Sequence, residues 1–143
     1  MKLALIAIVT LTLMACSSRA PQSCSQVSSY LVPDSDQNLY SVMILDIDGV
    51  PVPPQPVYQL TKGEHKIKVA ALIHAPDLDI ALKYRVPKTR SLSFDAGYRY
   101  HLAAKLKEPL PSSVLNTDYW QVVTWKKQEV TCDKQGNKNR TPD

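Results

Sequence analysis

The chain has 143 residues, a formal net charge of +4, three cysteines and eleven prolines. This length suffices for one domain with its own core but not for two. The prolines disfavour a helical bundle, because each costs about 3 kcal/mol inside a helix. The scattered basic residues indicate a solvated surface of mixed sign rather than the alternative, a basic face for anionic headgroups or polysaccharide.

The first sixteen residues have the layout of an export signal. Lys2 provides a positive start, and the apolar run 3–13 is too short for the roughly 20 residues that span a membrane. The motif Leu13-Met14-Ala15-Cys16 that follows resembles the lipobox of bacterial lipoproteins. That resemblance implies cleavage after Ala15 and a diacylglyceryl group with fatty chains, such as palmitate, on Cys16. The alternative is an ordinary secreted protein in which Cys16 is a small apolar residue.

A lipid anchor implies a location in the cell envelope. Two or three fatty chains give durable attachment, whereas one holds a protein only marginally. Ser17 follows the cysteine where an Asp would favour retention at the inner membrane. We therefore expect an outer-membrane protein that faces the periplasm, and we expect no nucleic-acid partner for an exported chain.

Two cysteines remain once Cys16 is lipidated. Cys24 and Cys132 form an even pair in an oxidising compartment, so we expect a disulfide between them. A redox-active pair would instead show a C-x-x-C spacing, which the sequence lacks.

Composition divides the chain into four parts. Residues 1–15 are the signal peptide, and residues 16–36, rich in Ser and Gln after the lipidated cysteine, are interpreted as a flexible tether. Residues 37–132 carry the strand patterns, and the polar residues 133–143 are expected to be disordered.

Short β-forming segments follow one another through the presumed domain. The clearest is Tyr98–Lys107, where apolar and polar residues alternate with a period of two. Asp48-Gly49 predicts a tight turn, the prolines of 51–56 predict an exposed connection, and 112–116 predicts one helical turn. The other predicted strands are 40–47, 57–60, 64–73, 80–86, 91–95 and 119–130.

These segments favour a single antiparallel β-sandwich, immunoglobulin- or transthyretin-like, or a partly open barrel, with six to eight short strands. Residues 47–49 and 60–69 resemble the core of PEGA-type β-sandwich modules, and 94–102 matches a pattern of small envelope lipoproteins. The resemblance implies an accessory binding or scaffolding domain with no known catalytic site.

The strongest enzyme-like pattern is Asp46-Ile47-Asp48-Gly49 after a hydrophobic strand, which resembles the first motif of haloacid-dehalogenase-type phosphatases. There, the first Asp attacks phosphorus and the second acts as an acid. The prolines that follow and the β-rich composition do not fit that family, and an Asp-Gly hairpin turn explains the same residues. His65 is expected at a strand start beneath a turn rather than as a metal ligand.

Three aromatic residues near the C-terminus, Tyr119, Trp120 and Trp125, are the candidates for partner contact. We expect no catalytic residue, cofactor or metal. The sequence favours a non-catalytic domain that engages an envelope protein or glycan. The alternatives are a periplasmic, phosphatase-like hydrolase that uses Asp46 and Asp48, and a small-ligand carrier.

Overall fold

The computed structural model describes residues 24–109 and 113–131, which fold into two β-sheets with two three-residue 3₁₀ helices, Ser35–Gln37 and Leu82–Tyr84. The predicted all-β sandwich is confirmed, with more strands than expected. The strands of this part of the chain are β1 (Cys24–Ser28), β2 (Leu39–Tyr40), β3 (Val42–Ile47), β4 (Val50–Pro51), β5 (Val57–Thr61), β6 (Gly63–Ala71), β7 (Lys88–Phe94), β8 (Tyr98–Leu106) and β9 (Trp120–Glu129).

The five-stranded sheet is built around β8. On one side β8 pairs with β9 along its length, and on the other it pairs with β1 and then with β2. β1 runs parallel to β8 and antiparallel to β5, while every other pairing of the two sheets is antiparallel. The four-stranded sheet has the order β4-β3-β6-β7.

The core lies between the sheets and follows the two-residue period of the sequence. In β8, Tyr100, Leu102, Ala104 and Leu106 are buried in the core cluster, as the alternation predicts. Ile67 and Val69 of β6 are fully buried. Full burial of an aliphatic side chain contributes about 1.5–3 kcal/mol, so this alternation is the main stabilising feature of the fold.

Two cationic side chains join the sheets along the side where β7 and β9 are the edge strands. The Lys88 Nζ donates to the Trp120 carbonyl oxygen at 2.7 Å. Arg90 Nη1 donates to the carbonyl oxygen of Val122. Both acceptors are main-chain groups of β9, so this edge is partly capped by side chains rather than paired with another strand.

Three expectations from the sequence are wrong in detail. Residues 24–36 are not a flexible tether, because Cys24–Ser28 forms β1 between two strands and Val27 is fully buried. Residues 80–86 contain a 3₁₀ turn rather than a strand. The described residues 113–116 contain no helical turn.

Several expectations lie outside the described residues. They concern the signal peptide, Cys16, the tether up to residue 23, Cys132 and the polar tail 133–143. Each of them stays a prediction.

Candidate functional site

Asp46 and Asp48, the pair with the most enzyme-like sequence pattern, lie at the tight turn between β3 and β4. Asp48 has a φ of 55° and Gly49 a φ of 81°. Two successive positive φ angles are what a two-residue hairpin turn requires, and Asp-Gly supplies them at low cost. The Asp46 Oδ1 accepts a hydrogen bond from the Gly49 N–H at 3.1 Å, so this carboxylate stabilises the turn.

Asp48 links this turn to β6. Its Oδ2 lies 2.6 Å from the Nδ1 of His65, and its Oδ1 accepts from the Lys66 N–H at 2.8 Å. The Asp48 N–H donates to the Lys66 carbonyl oxygen, also at 2.8 Å. The hydrogen bond from His65 holds the pKa of Asp48 below its usual value of 3.8. Both carboxylate oxygens of Asp48 therefore already have protein partners.

The second ring nitrogen of His65 points back to β5. Its Nε2 lies 2.9 Å from the carbonyl oxygen of Thr61 and 3.2 Å from the Thr61 Oγ1. With acceptors at both nitrogens, the doubly protonated imidazolium is favoured, and the Asp48 hydrogen bond raises the pKa of His65 above 6.5. We call Asp48, Thr61 and His65 the corner latch.

The corner latch lies where the chain crosses from one sheet to the other. β5 belongs to the five-stranded sheet and β6 to the four-stranded sheet, with only Lys62 between them. Gly63 opens β6 with a φ of 131°, a conformation that side chains disfavour. His65 thus lies in a strand start beneath a turn, as predicted, and binds the two sheets together.

The order hydroxyl, imidazole, carboxylate in the corner latch is also that of a nucleophilic triad. Here, however, the His65 Nε2 is closest to the Thr61 main-chain oxygen, which accepts but never donates a proton. That nitrogen therefore carries hydrogen and is not free to act as a base. Among the described residues, no group of three or more His, Cys, Asp or Glu is arranged to hold a metal. The geometry favours a structural role, and the hydrolase alternative stays a prediction.

Of the three aromatic residues predicted to contact a partner, two lie in the core. Trp120 is fully buried and Tyr119 nearly so, so neither is available at the surface of the folded domain. Trp125 is half-buried on the outer face of the five-stranded sheet, and its ring centroid lies 6.4 Å from that of His101. Of the three residues, only Trp125 lies on an outer face, where the predicted contact with a partner requires it.

The two ends of the sandwich differ in construction. At one end, the Gly97 N–H donates to the Cys24 carbonyl oxygen and the Val130 N–H donates to the Gly97 carbonyl oxygen, both at 2.9 Å. We call this the Cys24 end, and it also contains the Asp48-Gly49 turn and the corner latch. The described chain therefore begins and finishes at the same end.

The opposite end, which we call the loop end, is built from the segments 29–38, 72–87 and 107–119, the last described except for 110–112. Cross-connections hold these segments together. The Asn38 Nδ2 donates to the Glu108 Oε1 at 2.9 Å, and the Val114 N–H donates to the Asp79 carbonyl oxygen at 3.1 Å.

Exposed aliphatic side chains concentrate on the loop end. Leu82 is 84% exposed and Leu115 77% exposed, and Val32, Leu72 and Val86 also project into solvent from the same three segments. At the Cys24 end, Val50 beside the Asp48-Gly49 turn is exposed. The Asp79–Ser113 bridge brings the segments that carry Leu82 and Leu115 together. Apolar groups that share one exposed region, rather than being scattered, are typical of an interaction surface.

The loop end is also acidic, although the whole chain is basic. Its three segments hold three cationic residues and six carboxylates, a formal charge of −3 against +4 for the chain. The cations are Lys83, Arg85 and Lys107, and the carboxylates are Asp34, Asp36, Asp77, Asp79, Glu108 and Asp118. The ammonium of Lys88, the first residue of β7, also lies 3.8 Å from the Asp118 Oδ1. With this cation included, the loop end keeps an excess of carboxylates around its exposed leucines.

Sequence reasoning missed this surface. The spacing of Ile80, Leu82 and Val86 resembles half-buried strand alternation, yet only Ile80 of the three is buried. Pro76 and Pro87, which flank this segment, could have identified it as a loop, because prolines on both sides are typical of loops.

Comparison of the sequence with protein-family models, with curated proteins and with solved structures finds no match in any of the three. The resemblances to lipoproteins and to PEGA-type modules therefore stay predictions. In the described part of the chain, no helix is long and apolar enough to cross a membrane.

Proposed function

We propose that this protein is a lipid-anchored, non-catalytic accessory domain of the bacterial envelope that engages a partner protein through its loop end. The observation that carries the proposal is the separation between the Cys24 end, where the described chain begins, and the apolar, acidic loop end opposite it.

The anchor follows from the sequence and fits this geometry. If Cys16 carries the lipid, seven residues separate it from Cys24, so the two Cα atoms lie at most about 29 Å apart. β8, with nine residues, runs from the Cys24 end to the loop end, a length of about 30 Å. A domain that stands upright on this tether would have its loop end farther from the membrane surface than its Cys24 end.

The predicted disulfide would strengthen the Cys24 end. The hydrogen bonds from Val130 to Gly97 and from Gly97 to Cys24 support it, because Cys132 follows Val130 by only two residues. A link between Cys24 and Cys132 would join the first and last segments of the domain at the Cys24 end, beside the lipid. A tethered domain exposed to strain would gain stability from it.

A protein is the partner class that the loop end fits best. The free energy falls when a partner removes exposed leucines such as Leu82 and Leu115 from water. The acidic surroundings favour a partner whose rim is basic and disfavour an anionic membrane. A small-ligand carrier stays a prediction that this surface does not require.

Photo-crosslinking in intact cells tests the proposal. A photoreactive residue at Leu82 or Leu115 is expected to give the same discrete protein adduct, because both positions belong to the same surface. Ser93, exposed on the outer face of the four-stranded sheet near the Cys24 end, is the matched control and should not give that adduct.

Two further substitutions test whether the adduct depends on the loop-end surface and on the lipid anchor. The adduct formed at Leu82 should be lost when Leu115 is replaced by Asp and when Cys16→Ser removes the anchor. An identical adduct from Ser93, or an adduct indifferent to both replacements, would refute a partner site at the loop end.

A further inference from the structure

The outer face of the five-stranded sheet carries a continuous row of long polar side chains. In the strand register, Gln26 lies between Gln59 and Arg99, and Arg99 lies opposite Gln128. The Arg99 Nε donates to the Gln26 Oε1 at 2.7 Å. This bond orients the guanidinium on the sheet surface. Gln26 accepts from only one of the five N–H groups of Arg99.

A β-bulge adds an aromatic ring to this face. His101 pairs with Lys126 and Leu102 with Thr124, so Trp125 is the extra residue of β9. A bulge lets two residues of one strand lie opposite a single residue of the next, and such bulges commonly reorient side chains at functional sites. The Trp125 ring consequently lies close to His101 rather than alternating away from it.

Two buried polar atoms on this face lack partners within the residues that the structure describes. They are the Nδ1 of His101 and the Nε1 of Trp125. The other nitrogen of His101, Nε2, lies 3.3 Å from the Gln128 Oε1. Burial lowers the pKa of His101, so its neutral ring offers one donor and one acceptor. A buried polar atom without a hydrogen-bond partner destabilises the protein, and a hydroxyl-rich ligand would remove this cost by bonding to the atom.

Tyr30 packs against one member of this site. Its ring lies edge-on to His101 with centroids 5.7 Å apart, yet half of its own surface is exposed. Tyr30 follows the end of β1 in the segment 29–38 rather than lying in the sheet. A ligand that approaches His101 from this side would therefore meet the Tyr30 ring.

The charges on this face are of one sign. Arg99, Lys105 and Lys126 occupy outward-facing positions, and none of the described outward-facing positions of β1, β5, β8 and β9 is Asp or Glu. A surface that combines cations, amides and an aromatic ring suits sugars that bear carboxylates or phosphates. It suits a bilayer poorly, since few apolar side chains project from it.

We propose that the outer face of the five-stranded sheet binds an acidic polysaccharide, with Trp125 stacking on a sugar ring and Arg99 and Lys126 pairing with its anionic groups. This inference deepens the proposed envelope function by adding a glycan surface distinct from the loop end. Its test needs neither the lipid anchor nor the partner protein, so the two proposals fail separately.

The experiment measures retention of the purified Cys16→Ser protein, which cannot be lipidated, on immobilised polygalacturonate, a polymer of uronate sugars. Dextran, a neutral polysaccharide, and vesicles containing phosphatidylglycerol serve as comparison probes. We expect binding to polygalacturonate that weakens with salt, because exposed charges are screened. Trp125→Ala should weaken it by about tenfold or more.

Substitutions of lysines on the outer faces test binding without removing a side chain from the core. Lys126→Gln, at an exposed position, should also weaken binding, while Lys68→Gln on the outer face of the four-stranded sheet should not. Tyr30→Ala should leave binding intact or strengthen it. Equal retention on dextran, equal losses from Lys126→Gln and Lys68→Gln, or binding to the anionic vesicles alone would overturn the proposal.

Discussion

The Cys24 end and the loop end of this sandwich use their side chains in opposite ways. At the Cys24 end, polar groups satisfy one another: Asp48, His65 and Thr61 form the corner latch, and the Lys127 Nζ lies 2.7 Å from the Asp95 Oδ2. At the loop end, leucines remain in solvent and carboxylates outnumber cations. The comparison indicates that the Cys24 end is stabilised by its own polar contacts, whereas the loop end leaves apolar side chains without contacts of that kind.

The largest expected effect concerns the Cys24 end. If Cys24 and Cys132 are linked, the bond closes a loop of about 100 residues, for which the chain-entropy model gives about 4 kcal/mol. Reduction should therefore lower the free energy of unfolding by an amount of that order, measured with and without reductant in denaturant titrations. The double variant Cys24→Ser, Cys132→Ser should be insensitive to reductant. An unchanged midpoint after reduction of the native protein would contradict the pairing.

A pair of leucine substitutions tests the contrast between core and loop end. Leu102 is fully buried in β8, so Leu102→Ala should cost about 3 kcal/mol of unfolding free energy. Leu82 is 84% exposed, and Leu82→Ala should change stability by no more than about 0.5 kcal/mol. Chemical denaturation measures both. A comparable loss in the two variants would mean that Leu82 packs in the native fold and is not a contact residue.

The corner latch predicts a smaller, pH-dependent effect. The pKa of His65 is raised above 6.5 by its bond to Asp48, so the latch stabilises the fold fully below that pH. This contribution should be lost as the pH rises through the raised pKa. Because the pKa of Asp48 is lowered from 3.8, its contribution should be lost only as the pH falls below that value.

Thermal unfolding between about pH 6 and pH 9 measures the alkaline loss through this titration. His65→Gln should remove this alkaline loss, while His74→Gln at the loop end, where the imidazole is exposed, should leave it in place. The buried His101, whose pKa is lowered, would act in the opposite direction near pH 6. An alkaline loss that persists in His65→Gln, or is absent from His74→Gln, would mean that His65 is not its source.

The sequence predicted those parts of the fold that depend on local pattern. The alternation from Tyr98 to Leu106 and the Asp48-Gly49 turn are recognisable because burial on one face and positive φ angles both demand particular residue types. The sequence also predicted His65 at a strand start beneath a turn, but its contact with Asp48 depends on the pairing of β3 with β6.

The parts that were missed depend on distant contacts. β1 has the sequence Cys-Ser-Gln-Val-Ser, with one aliphatic residue, and forms a strand because β5 and β8 pair with it on both sides. The bulge at Trp125 arises from the register between β8 and β9, which no local pattern specifies. The corner latch likewise required knowledge that Thr61 and His65 face each other across a sheet boundary.

Energy transfer from the protein to the membrane surface tests the central claim most directly. The lipidated protein is placed in vesicles with acceptor dyes on the headgroups, and a donor dye is attached at Lys62, exposed at the Cys24 end, or at Leu82 on the loop end. We predict strong transfer from Lys62, weak transfer from Leu82, and loss of both signals in Cys16→Ser. Equal transfer from the two positions, or stronger transfer from Leu82, would contradict an anchor at the Cys24 end.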